Sequence, residues 1–93
     1  MSPTEAKIAL ADVIARLIDE HGMAYEEFAS KTSFRRKAAV SRYLRGYSRL
    51  RPHQLVEVIE LLDVGATKER EMISLCLCQF YGVSAIELMK NLR

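Results

Sequence analysis

Two cysteines, two histidines, two prolines and no tryptophan occur in these 93 residues, and each scarcity closes off a class of protein. Cys76 and Cys78 stand two apart in an apolar run. Helical geometry would turn them to different sides, so a mutual disulfide would be distorted and reduced thiols are expected. With His21 and His53 distant in sequence, the four residues lack the paired ligand spacing of zinc modules, and no metal or cofactor is expected. No apolar stretch reaches the roughly 18 residues that a membrane span requires. The start, Met1-Ser2-Pro3-Thr4-Glu5, lacks the pattern of a secretory signal, so a soluble, cytoplasmic protein with no membrane partner is expected. Paired carboxylates, a nucleophile with its base and a phosphate loop are also missing, which argues against an enzyme.

The most informative absence is local. Between Glu27 and Glu57 there is no acidic residue, while the 29 intervening positions hold Lys31, Arg35, Arg36, Lys37, Arg42, Arg45, Arg49 and Arg51, a local charge of +8. Outside that interval 6 basic residues face 12 acidic ones, a charge of −6 concealed by the overall +2. A merely solubilising surface mixes both signs. Such a division is the electrostatic footprint expected for a polyanion.

Capping and periodicity predict an all-α chain of one domain spanning residues 1–93. Ser2, Pro3 and Glu5 form a helix start, and Ile8, Ala11, Ile14, Ala15, Leu17 and Ile18 recur at helical spacings until His21-Gly22, giving helix one over about 3–21. A short second helix is expected over Tyr25 to Lys31, with Glu26 and Glu27 at its dipole-favoured start. Thr32-Ser33-Phe34 reads as a turn, Arg36 to Arg45 as a third helix ending at Gly46, and Tyr47 to Arg51 as a loop. Pro52 opens a fourth helix with Leu55, Val56, Val58, Ile59, Leu61 and Leu62. Thr67 is expected to cap a fifth, apolar almost all round through Tyr81 and therefore buried on several sides. Ser84-Ala85-Ile86-Glu87 is a further capping box that predicts a short last helix. No alternation typical of strands is present.

Two short helices joined by a three- or four-residue turn, the second rich in arginine, allow one helix to enter the major groove while the other braces it. On helix three, Val40, Tyr43 and Leu44 share a core-facing side, whereas Lys37, Ala38, Ser41, Arg42 and Arg45 share the other. Small Ala38 and Ser41 permit close approach, and arginine can pair with both guanine acceptors; Arg42 and Lys37 are the favoured base readers. Arg49 and Arg51, in the loop, are expected on the phosphate backbone. Tyr47 is open between packing on helix four and a phosphate contact.

The pattern Glu26-Glu27-Phe28-Ala29, then Val40-Ser41-Arg42-Tyr43-Leu44-Arg45-Gly46, then Leu55 to Leu62 resembles the lambda-repressor-like helix-turn-helix family, also called the XRE or Cro type, over roughly residues 8–64. The resemblance implies a five-helix DNA-binding fold. It places Arg36, Lys37 and Ala38, with Ser41 and Arg42 behind them, toward the groove, and Gly46 with the following loop near phosphates. The chain departs from that family in three places: Ala24-Tyr25 stands where Ser-Gln is usual, the turn glycine is missing, and one extra residue lies between Ala29 and Gly46.

The outward side of helix three and the residues flanking it thus delimit a candidate DNA-binding surface of Arg35, Arg36, Lys37, Ala38, Ser41, Arg42, Arg45, Tyr47, Arg49 and Arg51. The expected function is sequence-specific transcriptional regulation, with repression favoured because operator occupancy alone can block polymerase. The expected partner is double-stranded DNA carrying a palindromic operator. Residues 3–64 form the expected DNA-binding core, and residues 65–93 lie beyond it and are expected to cap that core or, as favoured, to supply a homodimer interface through residues 67–93. The rival expectation is a protein-interaction module that docks an acidic partner on the basic face.

Overall fold

The computed structural model describes residues 1–82, and within them the chain forms five α-helices and no strand. The last helix expected from Ser84 onward lies outside the described residues. Helix α1 covers Pro3–Glu20. Its start is a reciprocal cap: the Glu5 N–H donates to Ser2 Oγ and the Ser2 N–H donates to Glu5 Oε1, both at 3.1 Å. That backbone bond from Ser2, followed by the Ser2 side chain, holds the Glu5 carboxyl below the ordinary glutamate range. Ala6, Leu10, Ala11, Ile14, Leu17 and Ile18 form one buried stripe along it. At the far end His21 Nδ1 lies 2.9 Å from the Leu17 carbonyl, and Gly22 takes a left-handed φ of +62°, which a glycine adopts without steric penalty.

Helix α2 (Tyr25–Ser30) and helix α3 (Lys37–Leu44) pack on each other, and α3 also meets α1. Neither helix is long enough to be stable alone, so buried side chains hold them. Phe28, Ala29, Val40 and Tyr43 are buried. Phe34, in the turn, bridges the pair, its ring centroid 5.9 Å from Phe28 and 5.7 Å from Tyr43, within the range where aromatic pairs add to simple burial. Gly46 takes φ +88° just beyond α3.

Helix α4 (Pro52–Leu61) begins with proline at a position that needs no N–H donor, and Gln54 Oε1 accepts the Arg51 N–H at 2.9 Å. It buries Leu55 and Val58. Helix α5 (Ala66–Tyr81) packs mainly along α1 and secondarily on α4. Two expectations for α5 are corrected. Its cap is Gly65, one residue before the helix begins, and Thr67 lies in the first turn. Its apolar residues are not all enclosed: Met72, Cys76, Cys78 and Gln79 are buried, whereas Ile73, Phe80 and Tyr81 are exposed. With neighbours on only part of its circumference, α5 keeps one apolar side uncovered among the described residues. No described helix is long and apolar enough to cross a membrane.

Candidate nucleic-acid interface

The turn between α2 and α3 lacks a glycine, and its tightest conformation falls on an arginine. Arg35 has φ +69°, and the Arg36 N–H donates to the Phe34 carbonyl at 2.8 Å. A bond closing over three residues with a positive central φ is a γ-turn of the strained hand. The same Arg35 donates its own N–H to the Ala29 carbonyl at 3.0 Å, tying the turn back onto α2. Arg36 then caps α3 in an extended conformation. Arg35, Arg36, Lys37 and Ala38 are all exposed, so the start of α3 projects its side chains outward.

Farther along α3, Ser41 is half-buried and Arg42 and Arg45 are exposed, on the side opposite buried Val40 and Tyr43. The division of faces expected from the sequence is thus the one observed. Tyr47 is 72% exposed and does not pack on α4. Arg49 and Arg51 are exposed, while Leu50 between them is fully buried.

The structure brings three of the candidate residues into one cleft. Arg42 from α3, Arg49 from the loop and Arg51 at the start of α4 line an open recess of about 400 Å3, together with Ser33, Phe34, Ser48 and Gln54. A second open recess of about 480 Å3 shares Ser48, Arg49 and Arg51 and is also lined by Phe80. Neither lining contains a carboxylate among the described residues. Arg35, Arg36, Lys37, Ala38, Ser41, Arg45 and Tyr47 line neither recess.

Ion pairing separates the lysines from the arginines. Lys31 pairs with Glu27 at 3.0 Å and Lys37 with Glu26 at 3.2 Å. The Glu26 carboxyl is held below its usual range first by its own backbone N–H at the start of α2 and then by Lys37. Both pairs are solvent-exposed and screened by water, so either lysine can leave its partner readily. None of the six arginines from Arg35 to Arg51 has a carboxylate within ion-pair distance among the described residues.

Four residues important to this surface carried no periodic signal in the sequence. Glu57 on α4 accepts the Ser33 N–H at 2.8 Å and the Ser33 hydroxyl at 2.6 Å, so the turn before α3 is anchored to α4. Leu50 buries the middle of the basic loop. Gln79 on α5, fully buried, donates from Nε2 to the Leu50 carbonyl at 2.6 Å. Gln54, which stands beside the arginines in the first recess, also caps α4. A glutamate on an apolar helix, a lone leucine in a loop and a glutamine in an apolar run are ordinary in composition; only the long-range bonds distinguish them.

The two cysteines point apart as expected. Cys76 Sγ lies 3.7 Å from the Leu50 carbonyl and Cys78 Sγ 3.6 Å from that of Met1, and both thiols are free. Burial raises the Cys76 thiol above its usual range, which disfavours the thiolate. No group of three or more potential metal-ligating side chains occurs among the described residues.

Comparison with protein-family models, with curated proteins and with solved structures finds no match for the chain.

Proposed function

We propose that this protein is a sequence-specific DNA-binding transcriptional regulator, with repression the favoured mode, and that α3 enters the major groove in the manner of a lambda-repressor-like helix-turn-helix. The observation that carries this reading is the set of six arginines between residues 35 and 51, exposed and without carboxylate partners among the described residues. Arginines left unpaired on a protein surface offer their donors to an external anion, and a duplex presents phosphates at close, regular spacing. The division of α3 into a buried Val40–Tyr43 side and an outward Ala38–Arg42–Arg45 side supplies a helix able to approach base edges.

In this reading Arg42 and Lys37 read bases, Arg35, Arg36 and Arg45 flank them, and Arg49, Arg51 and Tyr47 hold phosphates. Exposed Ile73, Phe80 and Tyr81 on α5 favour homodimerisation through residues 67–93. Two-fold symmetry then requires a palindromic operator with half-sites about 10 base pairs apart or a multiple of that. The protein would act in the cytoplasm.

Duplex binding measured across a salt series tests the proposal. The logarithm of affinity should fall linearly with the logarithm of salt, with a slope near one per phosphate neutralised, and selection from a random duplex pool should return a palindrome. Millimolar affinity for every duplex at low salt would overturn it, and tight binding to an acidic protein under the same conditions would assign the basic face to protein recognition instead.

A further inference from the structure

Gln79 is fully buried on α5, the helix whose Phe80 lines the second recess with Arg49 and Arg51. Its Nε2 donates to the carbonyl of Leu50, 29 residues earlier, at 2.6 Å, and lies 3.5 Å from Cys76 Sγ. Its other end is unsatisfied: Oε1 has no hydrogen-bond partner among the described residues, and the buried Tyr43 hydroxyl has none either. An amide buried with its oxygen unpaired is a poor device for stability, because the desolvation of that oxygen is not recovered. An apolar side chain of similar volume would avoid that loss, leaving the Leu50 carbonyl to the weaker Cys76 thiol.

What the amide provides is direction. The segment 45–51 has no regular secondary structure. It is fixed at one end by the Tyr47 N–H to the Arg42 carbonyl, 3.1 Å, and at the other by the Arg51 N–H to Gln54. Between these points the Leu50 side chain supplies burial, which is not directional, and the Gln79 bond supplies orientation. Leu50 lies between Arg49 and Arg51, so the peptide that Gln79 grips is the one joining it to Arg51. Both arginines line the same two recesses.

We infer that Gln79 is a positioning residue for nucleic-acid binding: from α5 it fixes the Leu50 carbonyl so that Arg49 and Arg51 are presented, already ordered, to the phosphates of a duplex. The inference rests on the proposed function and adds to it a dependence of the basic loop on the C-terminal helix. Ordering the loop before binding removes an entropy loss that association would otherwise incur.

The test is a double-mutant cycle on the full chain, with Gln79→Met as one arm, Arg49→Ala with Arg51→Ala as the other, and a synthetic duplex chosen by wild-type affinity. In the wild-type background the arginine substitutions should lower affinity about tenfold or more, and in the Gln79→Met background by less than about threefold, because the arginines there are no longer placed. Gln79→Met alone should reduce the salt slope by up to about two, one for each phosphate that is no longer neutralised, while its melting temperature stays within about 5 °C of wild type or rises. Should Gln79→Met not fold, Gln79→Leu takes its place, and amide exchange of residues 47–51 in the free protein should be faster than in the wild type. Strict additivity with an unchanged slope, while the wild type binds duplex, overturns this inference alone. Failure of the wild type to bind any duplex overturns the proposed function, and the inference with it.

Discussion

Ser33 and Glu57 join the turn of the two short helices to α4 through a fork: one carboxylate oxygen accepts the Ser33 backbone N–H at 2.8 Å and the other its hydroxyl at 2.6 Å. Glu57 is the first acid after the basic interval, and its charge is committed to this anchor. The bonds are partly exposed, so their net contribution is near the lower end for a charged acceptor, about 1–1.5 kcal/mol. Glu57→Ala should therefore lower the urea midpoint by an amount equivalent to about 1 kcal/mol, and Ser33→Ala by less, since the backbone N–H keeps its partner. Equal midpoints for all three proteins would show that the fork contributes nothing to stability.

Arg35 bears the strain of the same turn. A left-handed conformation raises the energy of a residue with a Cβ by roughly 1–2 kcal/mol, and Arg35 occupies it at φ +69°. Arg35→Gly relieves that strain, partly offset by the greater freedom of glycine in the unfolded chain. The expected result is a melting temperature higher by a few degrees, given about 4–8 °C per kcal/mol for a domain of this size, together with weaker duplex binding through the loss of one cation. A lower melting temperature would mean that the Arg35 side chain contributes more to the fold than its backbone detracts.

Tyr43 makes stability depend on pH at the alkaline end. Its hydroxyl is buried without a partner among the described residues, and burial, with a smaller effect of Cys76, pushes the phenol well above the ordinary tyrosine range. A phenol whose pKa is raised on folding contributes stability that is complete below the unfolded value, about 10, and declines as pH rises through the interval above it. Tyr43→Phe removes both the unpaired hydroxyl and the titration. Thermal melts should show the variant equal to or more stable than wild type at neutral pH, with a smaller loss of stability above about pH 10. A clear destabilisation at neutral pH would reveal a hydrogen bond to the Tyr43 hydroxyl.

The helices themselves were legible in the sequence because their signals are local. Ser2, Pro3 and Glu5 specify the start of α1 within five residues, Pro52 starts α4, and the 3–4 spacing of Ala11, Ile14, Leu17 and Ile18 marks a buried stripe, although Ile8, read into that stripe, is exposed and Leu10, not read into it, is buried. The extent of burial on α5 was not legible. A nearly continuous apolar surface states that neighbours are wanted, but only the placement of α1 and α4 decides that Cys78 is enclosed while Phe80 and Tyr81 are exposed. The candidate surface divides in the same way. The acid-free interval marks the residues, and the outward side of α3 follows from periodicity, but the shared recess of Arg42, Arg49 and Arg51 depends on the turn anchored by Glu57 and the loop gripped by Gln79. Those are isolated contacts across 24 and 29 residues, which leave no period for a sequence to display.

That shared recess sharpens the distinction between Arg42 and Arg49. Arg42 extends from the outward side of α3, so it can reach either a base edge or the recess it lines with Arg49 and Arg51. Arg49 belongs to the loop, with no helix to carry it into a groove, and its contact with a duplex would be to phosphate, independent of sequence. If Arg42 pairs with guanine, Arg42→Ala should weaken binding to a selected site by roughly 1–3 kcal/mol and relax preference at one base position, whereas Arg49→Ala should weaken all duplexes about equally and lower the salt slope by about one. Competition binding of each variant against a panel of single-base-pair changes in the selected site separates these outcomes. If Arg42→Ala instead lowers affinity for every member of the panel by the same factor, as Arg49→Ala does, then Arg42 acts inside the recess as a third phosphate ligand, and base reading falls to Lys37, which must first release Glu26.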